Sequence, residues 1–320
     1  MKRTVKLRAL AAGLGLALAG SLLPANGSPL SGTWHNSYCS RVDLAVDANG
    51  IVTGLYTSHT GSTGSSEVIG WVSPSAVPPT PPATNAKGIP FSLDIQWRLI
   101  NKPVSEADGS WHWVSGFSGQ YHPAQTISAP GQASYTIPET LELLNVLEAT
   151  STVTGFADNA PIMWPQTLHF MRNAPSYCST VTPGTPVAFT NSAMNLVSGT
   201  WTGPNGMELV LTADPGSGRV TGKAKLPGEV SLNVVGLYDR VGPGQTPNSR
   251  VAEQGVTLTL FDPNYDCELG AGSGLYWMAG GVSYSKTGEL SVWMGSMQST
   301  TWTDRFTQET LSRVQLTRLN

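Results

Sequence analysis

The stretch Leu-Ser-Gly-Thr-Trp at residues 30–34 returns as Val-Ser-Gly-Thr-Trp at residues 197–201, at an offset of 167 residues. Further along each half, Gly-Ile-Val-Thr-Gly at residues 50–54 returns as Gly-Arg-Val-Thr-Gly at residues 218–222, at an offset of 168. Two ordered echoes at nearly the same offset indicate a tandem duplication. Units of about 150 residues are too long for a solenoid repeat, so each unit is predicted to be a domain.

Each unit alternates apolar and polar residues between clusters of turn-forming residues. The stretch Phe-Ser-Leu-Asp-Ile-Gln-Trp at residues 91–97 has a period of two, and residues 113–117 and 256–261 alternate in the same way. Residues 47–50, Asp-Ala-Asn-Gly, have the composition of a hairpin turn. About eight short strands in each unit are typical of an up-and-down barrel. The predicted fold is all-β, with two tandem eight-stranded antiparallel up-and-down barrels.

The composition agrees with a turn-rich β fold. The 320 residues include 35 Gly and 23 Pro, which argues against a helical bundle or a coiled coil. Residues 139–149 are the one stretch that fits a helix as well as a strand, because it combines leucine with β-branched residues. The net charge is only −3 and the fold contains no basic run, so nucleic-acid binding is not predicted.

The N-terminus has the pattern of a secretory signal. Four basic residues lie among the first eight, and the apolar stretch that follows is short for a membrane span. Residues 1–27 are therefore predicted to be a signal peptide, and the mature protein to be secreted or periplasmic. No later segment is apolar for long enough to cross a bilayer as a helix.

The remaining boundaries follow from the duplication and from the loop composition. The first barrel is predicted at residues 28–173, a linker rich in Pro, Ser and Thr at 174–194, and the second barrel at 195–320. Residues 73–88 contain two Pro-Pro pairs and are predicted to form an exposed loop within the first barrel. The chain has three cysteines, Cys39, Cys178 and Cys267, too few for a disulfide scaffold. Export permits one bridge, and the sequence leaves the pair open.

The sequence contains no motif for catalysis or for a cofactor. There is no Gly-x-Ser-x-Gly elbow, no His-Glu-x-x-His and no phosphate-binding glycine loop. None of the cysteines has the CxxC spacing of a metal site. His112 and His122 flank a predicted strand, where scattered surface histidines are commoner than a metal site. We predict neither an enzyme nor a cofactor or metal.

The first unit resembles the avidin/streptavidin family in four features. They are Gly-Thr-Trp-His-Asn at residues 32–36, Gly-Ile-Val-Thr-Gly-Leu-Tyr-Thr-Ser at 50–58, Trp97 at the end of a strand, and Ser-Gly-Phe-Ser-Gly-Gln-Tyr at 115–121. The resemblance covers most of the first unit and, more weakly, the second. It implies avidin-like barrels and a pocket for biotin, here as a ligand rather than a cofactor.

The resemblance implies that three residues hold the ureido carbonyl of biotin. Asn36 and Ser40 flank the first turn, and Tyr56 lies on the third strand. Three convergent donors stabilise partial negative charge on a buried oxygen, in the manner of an oxyanion hole.

The resemblance assigns the rest of the ligand to five further residues. Ser58 is similar to the residue that accepts a hydrogen bond from one ureido nitrogen. Gln166 stands where the family has an Asp or Asn for the other nitrogen, and it lacks the charge of Asp. Ser115 is similar to the residue that faces the thioether, while Trp97 and Phe117 would wall the apolar rings. Such a small pocket with few placed polar groups is the usual design of a ligand site.

Departures from the family pattern argue against very tight binding. Tyr38 replaces a Leu, and Trp113 stands where a small Ser reaches the ligand's carboxylate. No Trp lies between Phe117 and Met163, so the tryptophan of the family's seventh strand is absent from the first unit. Each change removes burial or a polar contact, and Trp113 is bulky enough to fill part of the pocket.

The second unit has lost the polar residues of the implied site. Gly203 and Met207 stand where the first unit has Asn36 and Ser40. Ala224, Leu226 and Leu260 replace Tyr56, Ser58 and Trp97. The second barrel is therefore predicted to be a scaffold. Its Trp302 is placed seven residues before Glu309, at about the spacing of the family's intersubunit tryptophan, and we hypothesise that it caps the first barrel's pocket, within one chain or within a dimer of chains.

Two functions are compatible with these residues. The favoured one is a secreted protein that carries or sequesters biotin or a similar small molecule in the first barrel. The alternative is an exported avidin-like structural or adhesion module that does not bind biotin and makes contacts through its loops. The resemblance is compatible with a homo-oligomer, although the duplication can replace one subunit interface.

Overall fold

The computed structural model describes residues 28–73, 88–98, 100, 111–128, 130–151, 162–189, 195–228, 231–240, 253–265, 274–283, 287–298 and 308–319. The predicted signal peptide, most of the proline-rich loop, Cys267 and Trp302 lie outside these residues. Among the residues described, no helix is long and apolar enough to span a membrane.

The first barrel closes eight antiparallel strands in sequence order. They are β1 (Gly32–Asn36), β2 (Arg41–Val46), β3 (Ile51–Thr57), β4 (Ser65–Val72), β5 (Ile89–Arg98), β6 (Trp111–His122), β9 (Thr140–Ser151) and β10 (Ile162–Met171). A separate hairpin, β7 (Gln125–Ile127) and β8 (Tyr135–Ile137), is inserted between β6 and β9. The barrel closes where β10 pairs with β1, with Asn36 opposite Phe170.

The second barrel repeats this arrangement without the inserted hairpin. Its strands are β11 (Gly199–Thr202), β12 (Glu208–Ala213), β13 (Arg219–Lys225), β14 (Ser231–Tyr238), β15 (Glu253–Phe261), β16 (Leu275–Ser283), β17 (Glu289–Gln298) and β18 (Gln308–Leu319). A single 3₁₀ turn, Pro204–Gly206, joins β11 to β12. The predicted fold class, two closed eight-stranded antiparallel barrels, is confirmed.

The stretch that fitted both helix and strand forms strand β9. Its Leu141 and Leu143 are buried in the first barrel's core, whereas Val146 and the half-buried Leu144 pack outward against Trp277 of the second barrel. Because outward-facing Leu144 and Val146 are apolar like inward-facing Leu141 and Leu143, the middle of the strand lacks the clean alternation of a half-buried strand. The tertiary contact therefore explains the ambiguity.

The two barrels pack directly on each other through a mixed apolar and polar interface. Trp71 of β4 stacks on Phe261 of β15, with ring centroids 4.7 Å apart and planes inclined by 14°. A Cβ atom added at Gly116 on β6 would lie 2.6 Å from the Thr257 hydroxyl oxygen, so the close approach of the barrels requires glycine there. The polar groups include Asp94, which accepts hydrogen bonds from Thr257 (2.6 Å) and Thr259 (2.7 Å).

Each barrel has an equivalent, fully buried tryptophan on its first strand. The indole N–H of Trp34 donates to the Leu30 carbonyl (2.9 Å), and that of Trp201 donates to the Val197 carbonyl (2.9 Å). An arginine covers each ring: Arg172 lies 3.7 Å from the Trp34 ring centroid, and Arg318 lies 4.6 Å from that of Trp201. The duplicated Gly-Thr-Trp motif thus builds the same structural feature twice.

A disulfide joins Cys39 to Cys178, with an S–S distance of 2.02 Å. The sequence alone did not show which two of the three cysteines pair, and the structure pairs these two. The bridge connects the β1–β2 turn to the chain that follows β10. That chain continues along the first barrel, where Pro186 forms a parallel bridge with Ser65 and Gly184 N–H donates to the Ser65 hydroxyl (3.0 Å). The inter-barrel segment therefore packs against the first barrel near Ser65, and its Phe189 contacts Arg240 of the second barrel.

Candidate functional site

A cavity of about 340 Å³ opens into the first barrel. This volume falls within the range of about 300–1,000 Å³ that is usual for small-molecule pockets. Seven of the eight predicted site residues line it: Asn36, Tyr56, Ser58, Trp97, Ser115, Phe117 and Gln166. The eighth, Ser40, is buried and does not line the cavity, but it is hydrogen-bonded to Asn36 and Tyr56, which do.

The interior beneath the cavity is filled by apolar side chains. A void of only about 10 Å³ remains there, among residues that include Val42, Ile95, Leu141 and Phe170. Trp34, two residues before Asn36 on β1, is fully buried in the same core. Within the described part of the first barrel's interior, a ligand of more than a few atoms therefore fits in the cavity of about 340 Å³ rather than in this void.

Asn36, Ser40 and Tyr56 form one hydrogen-bonded group. The Asn36 amide nitrogen donates to the Tyr56 hydroxyl oxygen (3.2 Å), and the Asn36 amide oxygen accepts from the Ser40 backbone N–H (2.9 Å). Burial raises the pKa of the Tyr56 hydroxyl above its usual value, while hydrogen bonds to Ser40 and Asn36 oppose the rise. Tyr56 is therefore protonated at neutral pH and can act as a donor.

The β1–β2 turn holds this group in place through its backbone. The Asn36 amide oxygen also accepts from the Tyr38 backbone N–H (3.0 Å), so one side chain organises the turn. Asn is favoured in turns for this local bonding. Cys39, in the same turn, has a φ of 64° and carries the disulfide to Cys178. The turn that orients Asn36 and Ser40 is thus fixed both by hydrogen bonds and by a covalent link.

Aromatic rings form one wall of the cavity. Trp97 meets Tyr56 edge to face at a centroid distance of 4.6 Å, and Trp113 lies 6.4 Å from Trp97 with ring planes inclined by 25°. The Trp97 indole N–H donates to the Ser115 hydroxyl (2.9 Å). Ser115 thus lines the cavity and orients the Trp97 ring; its role toward a ligand stays a prediction.

The rim of the cavity carries hydroxyl groups and one amide. Ser58 is hydrogen-bonded to Thr60 (3.0 Å), and Thr60 to Ser62 (2.7 Å). The Gln166 amide nitrogen donates to the Tyr38 hydroxyl (2.9 Å), and Tyr38 is largely exposed. This bond uses the amide nitrogen of Gln166 and not its amide oxygen.

One polar side chain of the cavity, Asn145, was not predicted from the sequence. It lies on β9, opposite Phe117 of β6 and Gln166 of β10, and it lines the cavity beside Leu147. Residues 139–149 fit a helix as well as a strand, so the sequence does not show which of their side chains face the inside of a barrel. No sequence motif marks Asn145 as a residue of the cavity.

The equivalent positions of the second barrel are apolar and buried. Met207, Ala224, Leu226 and Leu260 belong to its core cluster, together with inward residues from the other strands. No donor corresponding to Asn36, Ser40 or Tyr56 is present at these four positions. Trp302, the hypothesised cap, lies outside the described residues, so its placement stays a prediction.

No family model and no curated protein matches the chain. Among solved structures, the chain is similar to the X-ray structure of biotin binding protein from chicken, with 21% sequence identity and a TM-score of 0.29. That match covers 45% of this chain and 96% of the chicken chain. A likeness of this size carries no argument about the ligand.

Proposed function

We propose that the first barrel binds biotin, or a small molecule with the same cyclic urea group, and that the second barrel is a scaffold without a site. The signal-like N-terminus supports a secreted or periplasmic carrier. The observation that carries the proposal is that Asn36 and Tyr56 lie together in a cavity with an aromatic wall, with Ser40 hydrogen-bonded to both. The family resemblance of the same residues supports the same ligand.

The three polar residues offer the chemistry that a ureido oxygen needs. Asn36 carries an amide N–H, and Ser40 and Tyr56 carry hydroxyl hydrogens. The carbonyl of a urea bears more negative charge than that of a simple ester, and donors in a desolvated site bind such an oxygen more strongly than water does. Since the turn already holds Asn36 in place, little conformational entropy is lost when the ligand binds.

The wall of the cavity suits a compact apolar ring system. Trp97 and Phe117 are almost fully buried and present large flat surfaces at low conformational cost. Trp113 narrows the cavity beside Trp97. We therefore propose that the rings of biotin are buried in the cavity and that its carboxylate chain lies nearer the opening. This geometry supports moderate affinity rather than very tight binding.

Tyr56→Phe is expected to weaken biotin binding roughly 10- to 100-fold, because it removes one donor to the ligand oxygen and keeps the ring. The measurement is a titration with biotin followed by tryptophan fluorescence, since Trp97 and Trp113 line the cavity. Tyr135→Phe is the matched control: Tyr135 is exposed in the β7–β8 hairpin and should leave affinity unchanged. Equal affinity of Tyr56→Phe and wild type would contradict the assigned role of Tyr56.

A wild-type protein that does not bind biotin at high micromolar concentration would overturn the proposal. In that case the alternative, an avidin-like module that makes contacts through its loops, becomes the better explanation.

A further inference from the structure

The chain that follows β10 is fastened at one end to the β1–β2 turn. We call its residues 177–187 the strap. The Cys178 sulfur is bonded to that of Cys39 in the turn, and the Tyr177 hydroxyl donates to the Ser37 carbonyl (3.1 Å). A covalent bond and a hydrogen bond therefore join the start of the strap to the turn.

The other end of the strap is fastened where the β3–β4 loop, residues 58–64, enters β4. The Gly184 N–H donates to the Ser65 hydroxyl (3.0 Å), and the Val187 N–H donates to the Ser65 carbonyl (2.8 Å). A Cβ atom added at Gly64 would lie 3.1 Å from a methyl carbon of Val187, so the strap also packs against the last residue of the loop.

The turn and the loop that the strap joins both line the ligand cavity. Asn36 and Tyr38, at the turn, contribute to its wall, as do Ser58, Ser62 and Thr63 of the loop. The two elements are not neighbours in the barrel, because β2 lies between β1 and β3. The strap therefore bridges two separate parts of the cavity wall.

The β3–β4 loop has little packing of its own. It closes on itself through the Ser58 N–H and the Gly64 carbonyl (3.0 Å), and the Ile100 N–H donates to the Ser62 carbonyl (2.8 Å). Loop residues line the ligand cavity and also a second cavity of about 550 Å³, whose other wall is the strap. A segment with few packed contacts is locally unstable, so the position of the loop depends on its fastened ends.

The β1–β2 turn is held in a conformation that needs restraint. Cys39 has a φ of 64°, in the left-handed region that non-glycine residues rarely adopt. Such a residue persists only where the surrounding structure holds it. The bonds that the Asn36 amide oxygen accepts within the turn supply part of that restraint, and the disulfide to Cys178 adds to it.

We infer that the strap is a positioning element of the ligand cavity, and that cleavage of the Cys39–Cys178 bond by a thiol reductant weakens ligand binding. The strap residues do not line the ligand cavity, so they act through the turn and the loop that do. Elements that are already in place lose less conformational entropy when the ligand binds. The inference rests on the proposed function and adds a redox control of the same site.

The chemistry of this control is thiol–disulfide exchange. Cys39 is buried and Cys178 is half-buried, so a reductant thiolate attacks the Cys178 sulfur and releases the Cys39 thiolate, which takes up a proton. A second thiolate attacks the mixed disulfide and releases the Cys178 thiolate, which is protonated in turn. Two reductant thiols thus become one disulfide and the protein gains two thiols, a change that reoxidation reverses.

The test removes the bond and measures biotin affinity by titration followed by tryptophan fluorescence. All proteins carry Cys267→Ser, so that the third cysteine cannot enter a new pair. Adding Cys39→Ser and Cys178→Ser should weaken biotin binding at least roughly tenfold, since ordering even one residue on binding has a cost of that size. Reduction of the bonded protein with dithiothreitol should give the same loss, and reoxidation should restore the affinity.

Two controls separate positioning from stability. Loss of a disulfide lowers stability in any case, so affinity is compared well below the thermal midpoint of every variant. Trp201→Ala removes a buried tryptophan of the second barrel and should lower the midpoint without changing biotin affinity. Thr182→Ala changes an exposed strap residue away from both fastened ends and should bind biotin as the bonded protein does.

The outcomes distinguish this inference from the proposed function. Equal affinity with and without the bond would overturn the inference and leave the biotin site intact. A loss no greater than that of Trp201→Ala would also overturn it, because the bond would then act through stability alone. If the bonded protein does not bind biotin, the proposed function is overturned and the inference with it.

Discussion

Replacing Trp34 by alanine is expected to lower the free energy of unfolding by about 3–5 kcal/mol, the usual cost of truncating a fully buried aromatic side chain. Trp34 has 0% of its surface exposed, and its indole N–H bonds to the Leu30 carbonyl. Its ring also supports Arg172, which donates to the Glu139 carboxylate (2.8 Å) and to the Ser31 carbonyl (2.9 Å). The substitution therefore leaves a cavity and removes the support of a charged network.

The measurement is denaturant unfolding followed by circular dichroism. Trp201→Ala should lose a similar amount, because Trp201 is equally buried and has the equivalent bond to Val197. Trp293→Ala, at a half-buried position on β17, is the matched control and should lose less. If Trp34→Ala lowers the free energy of unfolding no more than Trp293→Ala does, Trp34 is not the structural core residue assigned here.

Asp94→Asn is expected to remove a pH dependence of stability from the barrel interface. Burial raises the pKa of the Asp94 carboxyl from 3.8 to about 7, although bonds from Thr257 and Thr259 oppose the rise. The folded state therefore holds a proton that the unfolded chain has already lost between these two pH values. The contribution of Asp94 to the free energy of unfolding is fully present below about pH 4 and falls as the pH rises toward 7. Above about pH 7 this contribution is lost and no longer changes with pH.

The expected size of this effect follows from the pKa change. At about 1.4 kcal/mol per pH unit, Asp94 costs the folded state on the order of 4 kcal/mol above neutral pH relative to acid pH. An asparagine side chain is neutral at every pH, so the Asp94→Asn variant should be more stable than wild type at about pH 8 and gain less at about pH 5. Urea unfolding of both proteins across this range measures the difference. A difference that does not change with pH would contradict a protonated, buried Asp94.

The barrels could be predicted from the sequence because their signals are local. The Gly-Thr-Trp repeat and the period of two in residues 91–97 need no knowledge of the partner barrel. The contact between the barrels could not be predicted. Asp94 and Gln96 are polar residues of the alternating stretch 91–97. Polar residues in such a pattern usually face solvent, but both are buried against the second barrel. A polar residue in a strand pattern does not reveal whether water or another domain covers it.

The candidate site shows the same division between local and tertiary information. The turn that carries Asn36 and Ser40 and the strand that carries Tyr56 could be located from their motifs. Asn145 could not, because the apolar residues Leu144 and Val146 on the outward face of its strand break the alternation that would have marked its inward face. The pairing of Cys39 with Cys178 depends on where the inter-barrel segment packs, which no spacing in the sequence determines.

One barrel is proposed to bind the ligand and the other to support it. Isothermal titration calorimetry of the purified mature protein with biotin tests this division of roles in a single experiment. We expect saturable heat with one binding site per chain, in the first barrel. Two sites per chain would contradict the scaffold role of the second barrel, and the absence of binding heat would contradict the biotin site itself.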